Sequence, residues 1–152
     1  MKKGFLCVIG FCSSWAYAAD MTLCNYLFDI VIQNNTGTQC RLVQQSFNTG
    51  NTYSKTLPLV INAGEKSVPF TFETKIGFAA EDVDIDLSYS CGNDKMVTFK
   101  SKKMIEKYVV YNSATFEGLA SSLSNMDADY VVQPQKCYAF QPRPDTMLWT
   151  FH

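Results

Sequence analysis

The stretch from Asp82 to Cys91 (DVDIDLSYSC) alternates polar and apolar residues without a break. Successive side chains of a strand point to opposite faces, so residues two apart share one. Val83, Ile85, Leu87, Tyr89 and Cys91 fall on one face, and Asp82, Asp84, Asp86, Ser88 and Ser90 on the other. A helix, with its period of 3.6, would mix the two sets. The pattern predicts a core strand of an antiparallel sheet, one face covered and the other wet and acidic.

Other segments read as strands around it. Leu27 to Gln33 (LFDIVIQ) is rich in β-branched and aromatic residues, which favour strands. Asn34-Asn35-Thr36-Gly37 is turn chemistry, and Gln39 to Phe47 returns as a second strand. A hairpin about Asn35-Thr36 would set Cys40 opposite Val31 and Cys24 far down the ladder near Phe47. Leu57 to Ile61 is a short strand, with Pro58 at its start or at an edge. Ser67 to Glu73 (SVPFTFE) turns Val68, Phe70 and Phe72 inward. After the turn at Gly92-Asn93-Asp94, Met96 to Ser101 is the return strand and Ile105 to Tyr111 another. Asp129 to Gln133 and Met147 to Phe151 close the fold. Thr115 to Asn125 (TFEGLASSLSN) is the helix candidate, because Phe116, Leu119 and Leu123 recur at helical spacing, although Gly118 and the serines weaken it. Short strands with turn signals every 8–12 residues predict an all-β fold. The expected form is an antiparallel β-sandwich or flattened barrel of about eight or nine short strands, with at most one short helix.

The N-terminus reads as a cleaved secretory signal over residues 1–18. Lys2 and Lys3 form a basic start, Gly4 to Cys12 is a short apolar core, and Ala16-Tyr17-Ala18 supplies small residues before the cut. The apolar run is shorter than the roughly 20 residues a spanning helix takes. Residues 19–152 then form a single β-sandwich domain. Removing Lys2 and Lys3 leaves 11 basic against 14 acidic residues, a net charge of −3. That balance gives nucleic acid or an anionic membrane no electrostatic reason to bind.

Four of the six cysteines lie beyond the signal: Cys24, Cys40, Cys91 and Cys137. An even number in an exported chain reads as two disulfides. The hairpin geometry separates Cys24 from Cys40, since bridged Cα atoms stand within about 7 Å. The preferred pairing is Cys40–Cys91, stapling two core strands, with Cys24–Cys137 tying the chain ends together.

His152 is the sole histidine and the last residue. The reading is therefore non-enzymatic, because Ser–His–Asp and Cys–His catalysis and multi-histidine metal sites all need a placed histidine. Serine–lysine and paired-carboxylate chemistry stay formally open. Asp82, Asp84 and Asp86 open like a calcium loop, but Leu87 and Asn93 stand where that loop needs glycine and glutamate. Same-face carboxylates on a strand lie about 6.8 Å apart, so the run reads as a solvated face, and neither metal nor cofactor is expected. Lys100, Lys102, Lys103 and Lys107 read as a solvated hairpin edge, with an anion patch as the alternative. Tyr53, Tyr108, Tyr111, Tyr130, Tyr138 and Trp149 are candidates for a binding surface. Tyr53, Tyr108, Tyr111 and Tyr138 are singled out with Arg143, since sandwich loops carry recognition.

The expected function is binding of a protein or cell-surface ligand, as a host-interaction or inhibitor protein would do, in the periplasm or outside the cell. The alternative is a lipid- or membrane-active, pore-associated sandwich.

Overall fold

Period-two patterning becomes two facing sheets. The computed structural model describes residues 27–47, 52–53, 56–73, 81–107, 112–133 and 144–152. Residues 1–18, expected to be a signal segment, and Cys24, Cys137, Tyr108, Tyr111, Tyr138 and Arg143 lie outside the described residues. The strands are β1 (Leu27–Asn34), β2 (Cys40–Phe47), β3 (Thr52–Tyr53), β4 (Val60–Ile61), β5 (Phe70–Glu73), β6 (Val83–Ser90), β7 (Met96–Lys107), β8 (Asn112–Ser124), β9 (Ala128–Gln133) and β10 (Asp145–Phe151). They form two five-stranded sheets, ordered β3-β5-β1-β10-β9 and β4-β2-β6-β7-β8. No helix occurs among the described residues.

Strand β6 sits at the centre of its sheet, between β2 and β7. Val83, Ile85, Leu87, Tyr89 and Cys91 are all buried. They pack against Phe28, Ile30 and Ile32 of β1 and Met147, Trp149 and Phe151 of β10 in one core. Aromatic rings carry much of this contact: Phe99 meets Trp149 with centroids 4.7 Å apart, and Tyr89 meets Phe151 at 5.8 Å. The outer face of β6 is wet at its acidic end but not at Ser88, which is buried with its hydroxyl 2.8 Å from Thr98 Oγ1.

Four expectations need correction. First, β1 and β2 are not a hairpin, because they lie in different sheets. The intervening turn is an arch held by buried Asn34. Its Nδ2 donates to the carbonyls of Thr38, Ile61 and Asn62 at 2.8, 3.1 and 3.1 Å. Its Oδ1 accepts from Thr36 N and Oγ1 at 3.0 and 2.6 Å. Turn residues reverse a chain equally well within one sheet or between two, so their presence does not decide the partner. Second, the Thr115–Asn125 helix is strand β8, paired with β7 from Lys107↔Asn112 to Met96↔Ser124. Third, β7 runs unbroken through Lys107, so Met96–Ser101 and the start of Ile105–Tyr111 are one strand. Fourth, Val68 is 74% exposed, since β5 begins only at Phe70. One sheet also mixes directions: in the first, β1 and β10 pair in parallel, from Phe28↔Asp145 to Asn34↔Phe151, while every pair in the second is antiparallel.

Candidate functional site

Three places bring chemically distinctive side chains together. The first is the cystine. Arg41 pairs with Ser90, so the next step along β2 and β6 sets Cys40 opposite Cys91. The two form a disulfide with Cα atoms 4.0 Å apart. Both residues are buried, and Thr38 Oγ1 donates to the Cys91 carbonyl at 2.9 Å. Cys24 and Cys137, the expected second pair, are outside the described residues.

The second is the basic run on β7, which strand geometry divides rather than gathers. Lys100 and Lys102 face outward. Lys100 Nζ lies 2.9 Å from Asp84 Oδ1 and 3.6 Å from Asp86 Oδ2, and contact with Asp84 above all holds its ammonium above the ordinary lysine value. The cation therefore already sits between two of the three carboxylates considered for calcium. A surface cavity of about 350 Å³ opens here, lined by Ser46, Phe47, Asp84, Asp86 and Lys100. Lys102 reaches Glu117 at 4.0 Å. Lys107 ends the strand, and its side chain is outside the described residues.

Lys103 takes an inward slot, in step with Val97, Phe99 and Ser101, and is wholly buried. The expected exposed cluster thus loses its third member to the core. Its Nζ donates to the Leu27 carbonyl at 2.8 Å and lies 3.4 Å from Asp145 Oδ2. The Phe116 ring covers it, with the centroid 5.7 Å from Nζ. Burial pulls the ammonium down to about 8, against the opposing pull of Asp145. Desolvation disfavours the charged form of a buried amine, so here it outweighs the nearby carboxylate. One side chain of β7 thus touches β1, β8 and β10 at once. Two residues along, Ser101 Oγ accepts the indole N–H of Trp149 at 2.8 Å, deep in the core.

The third is the corner where the two sheets meet through β8 and β9. The Tyr130 ring lies on Gly118 and against Trp149, with centroids 5.1 Å apart. Leu119, Tyr130 and Val131 remain exposed beside it. Of the aromatic residues considered for binding, Trp149 is core and Tyr130 is a corner residue. Tyr53 lies in β3, with its side chain outside the described residues. His152 is held by backbone hydrogen bonds to Asp127 in both directions, and its Nε2 lies 3.5 Å from Asp129 Oδ2 at the surface. Among the described residues no cluster of histidine, cysteine and carboxylate side chains could hold a metal ion.

Sequence reasoning missed the burial of Lys103 and the part played by Gly118. The available signal for Lys103 was its parity: it falls in register with Val97 and Phe99, as Lys100 and Lys102 do not.

Compared with known proteins, the chain matches no family model and no curated sequence.

Proposed function

We propose that this chain is an exported, disulfide-stapled β-sandwich that works by binding a protein or cell-surface ligand and does not catalyse a reaction. The observation that carries this reading is the buried Cys40–Cys91 cystine, because disulfides persist in oxidising compartments. The signal-like residues 1–18 point the same way. The core supports a scaffold role: Asn34, Ser101 and Trp149 satisfy one another or the backbone inside the fold, which rigidifies the elements that present a surface. Leu119, Tyr130 and Val131 on β8 and β9 are large, apolar and exposed, as contact residues are.

The test starts with the N-terminal sequence and the cysteine pairing of the native protein, then measures binding of the folded domain to surface and envelope fractions. Leu119→Ser and Val131→Ser should weaken binding while leaving the fold intact. Turnover on ester, glycoside or peptide panels would overturn the non-catalytic reading, and an uncleaved chain with free thiols would overturn export.

One observation favours the membrane-active alternative. Val43, Leu59 and Val60 are exposed along the β2–β4 edge, where Leu42 N donates to the Leu59 carbonyl and Arg41 pairs with Val60. Apolar side chains beside a cation suit an anionic bilayer surface. Sedimentation with neutral and anionic liposomes tests this, and no binding to either removes it.

A further inference from the structure

Lys103 and Asp145 meet at the end of the sandwich where β1 and β10 begin their parallel pairing, at Phe28↔Asp145. They come from opposite sheets, β7 from one and β10 from the other. The amine is wholly buried, the carboxylate nearly so, and the two lie 3.4 Å apart. The Leu27 carbonyl fixes the amine from one side at 2.8 Å, and the Phe116 ring covers it from another. Across the strand pairs, Lys103 stands beside Val83 of β6 and Phe116 of β8, neither of which titrates. Neighbouring Glu117 faces outward to Lys102. Asp145 is therefore the titratable group described against this amine.

We propose that Lys103 Nζ and Asp145 Cγ join in an intramolecular amide, an isopeptide cross-link between β7 and β10. The step is a condensation that needs no oxidant, reductant or co-substrate. A proton passes from the ammonium to the carboxylate, so that two charges become two neutral groups. The freed amine attacks Cγ, the Nζ–Cγ bond forms, a Cγ–O bond breaks, and the oxygen leaves as water with two of the former ammonium protons. Ammonium plus carboxylate thus becomes amide plus water, balanced in atoms and charge. The product keeps one N–H on the former Nζ, which can still donate to the Leu27 carbonyl. Its location would fasten the two sheets at the end away from the cystine.

The experiment is intact mass measurement of the wild-type protein, purified folded, then reduced and denatured. The expected mass is about 18 Da below that of the reduced chain, the loss of one water. Trypsin does not cleave after an acylated lysine, so the digest should hold one branched peptide joining the Lys103 and Asp145 segments. Lys103→Arg and Asp145→Ala should restore the full mass. A folded wild type at full mass overturns the proposal, as does a water loss that persists in Asp145→Ala or maps to other residues. Because the wild-type mass and branched peptide decide the matter, a variant that fails to fold does not block the test. A missing cross-link would leave the binding function untouched.

Discussion

Tyr130 occupies the space that a side chain on Gly118 would need. A Cβ there would stand 2.6 Å from Tyr130 Cδ1 and 2.8 Å from its Cγ. The ring can yield only by swinging outward and giving up its contact with Trp149. Gly118→Ala should therefore cost about 1–3 kcal/mol, the usual range for overpacking. In a Tyr130→Ala background the same substitution should cost close to nothing, because the clashing group is gone. A urea-denaturation double-mutant cycle measures the coupling, and simple additivity would remove the corner contact from the account.

The cystine closes a loop of 51 residues. Restriction of the unfolded chain by a loop of that size is worth about 4 kcal/mol, a large share of the roughly 5–15 kcal/mol that holds a domain together. Cys91→Ala should lower the melting temperature sharply and reduce the folded yield. A wild-type melting temperature would deny the bond a structural role.

Asn34 is fully buried, and its amide donates three hydrogen bonds to backbone carbonyls. Asn34→Asp would turn an oxygen toward those carbonyls and should cost at least about 3 kcal/mol, the scale of several buried unsatisfied groups. Asn34-Asn35-Thr36 also reads as a glycosylation acceptor. A glycan would use the same buried nitrogen. In a glycosylating host, the folded, secreted fraction should carry no sugar at Asn34, which glycopeptide mapping would check.

In Asp145→Ala the Lys103 amine has no carboxyl partner and must titrate. Burial already brings it from 10.5 to about 8 with Asp145 in place, and without that carboxylate it falls further. The unfolded chain keeps its lysines protonated to about pH 10.4. Above about pH 8 the unfolded state thus binds more protons than the folded one, and stability rises with pH. Tyr89, whose phenol burial pushes up, acts in the opposite sense once pH exceeds about 10. Urea midpoints between about pH 7 and 9.5 should therefore climb in Asp145→Ala and stay flat by comparison in Asp145→Ala/Lys103→Met.

Trp149 donates its indole N–H to Ser101 in the core. Ser101→Ala leaves that donor buried and unpaired, at a cost of about 1–3 kcal/mol. A shift in the tryptophan near-ultraviolet signal should accompany the lower urea midpoint.

Legibility followed the size of the inward side chains. On β6 the inward set is Val83, Ile85, Leu87 and Tyr89, so the period of two stands out. On β8 the same alternation is present, but the half-buried positions are Ala114, Phe116, Gly118 and Ala120, while Leu119 faces out. Small residues are needed where Tyr130 packs onto the strand, and they hide the pattern that would have revealed it. Phe116 and Leu119 then mimic a helical stripe although they point to opposite faces. The Cys40–Cys91 bond was expected from a β1–β2 hairpin that the structure does not contain; what sets the two cysteines opposite each other is the pairing of β2 with β6. The arch at Asn34 was not readable, because a turn sequence does not encode which sheet receives the returning strand. The buried pair at Lys103 depends on β10 lying beside β1, a contact spanning most of the chain.

That parallel pairing also sets the order of assembly. Asp145–Phe151 lies between β1 and β9, so the sheet stays split until those residues are in place. Until then Phe28, Ile30 and Ile32 lack the neighbour that completes their sheet. The sheet should therefore tolerate loss of Asp145–Phe151 far worse than loss of an edge strand of the same length.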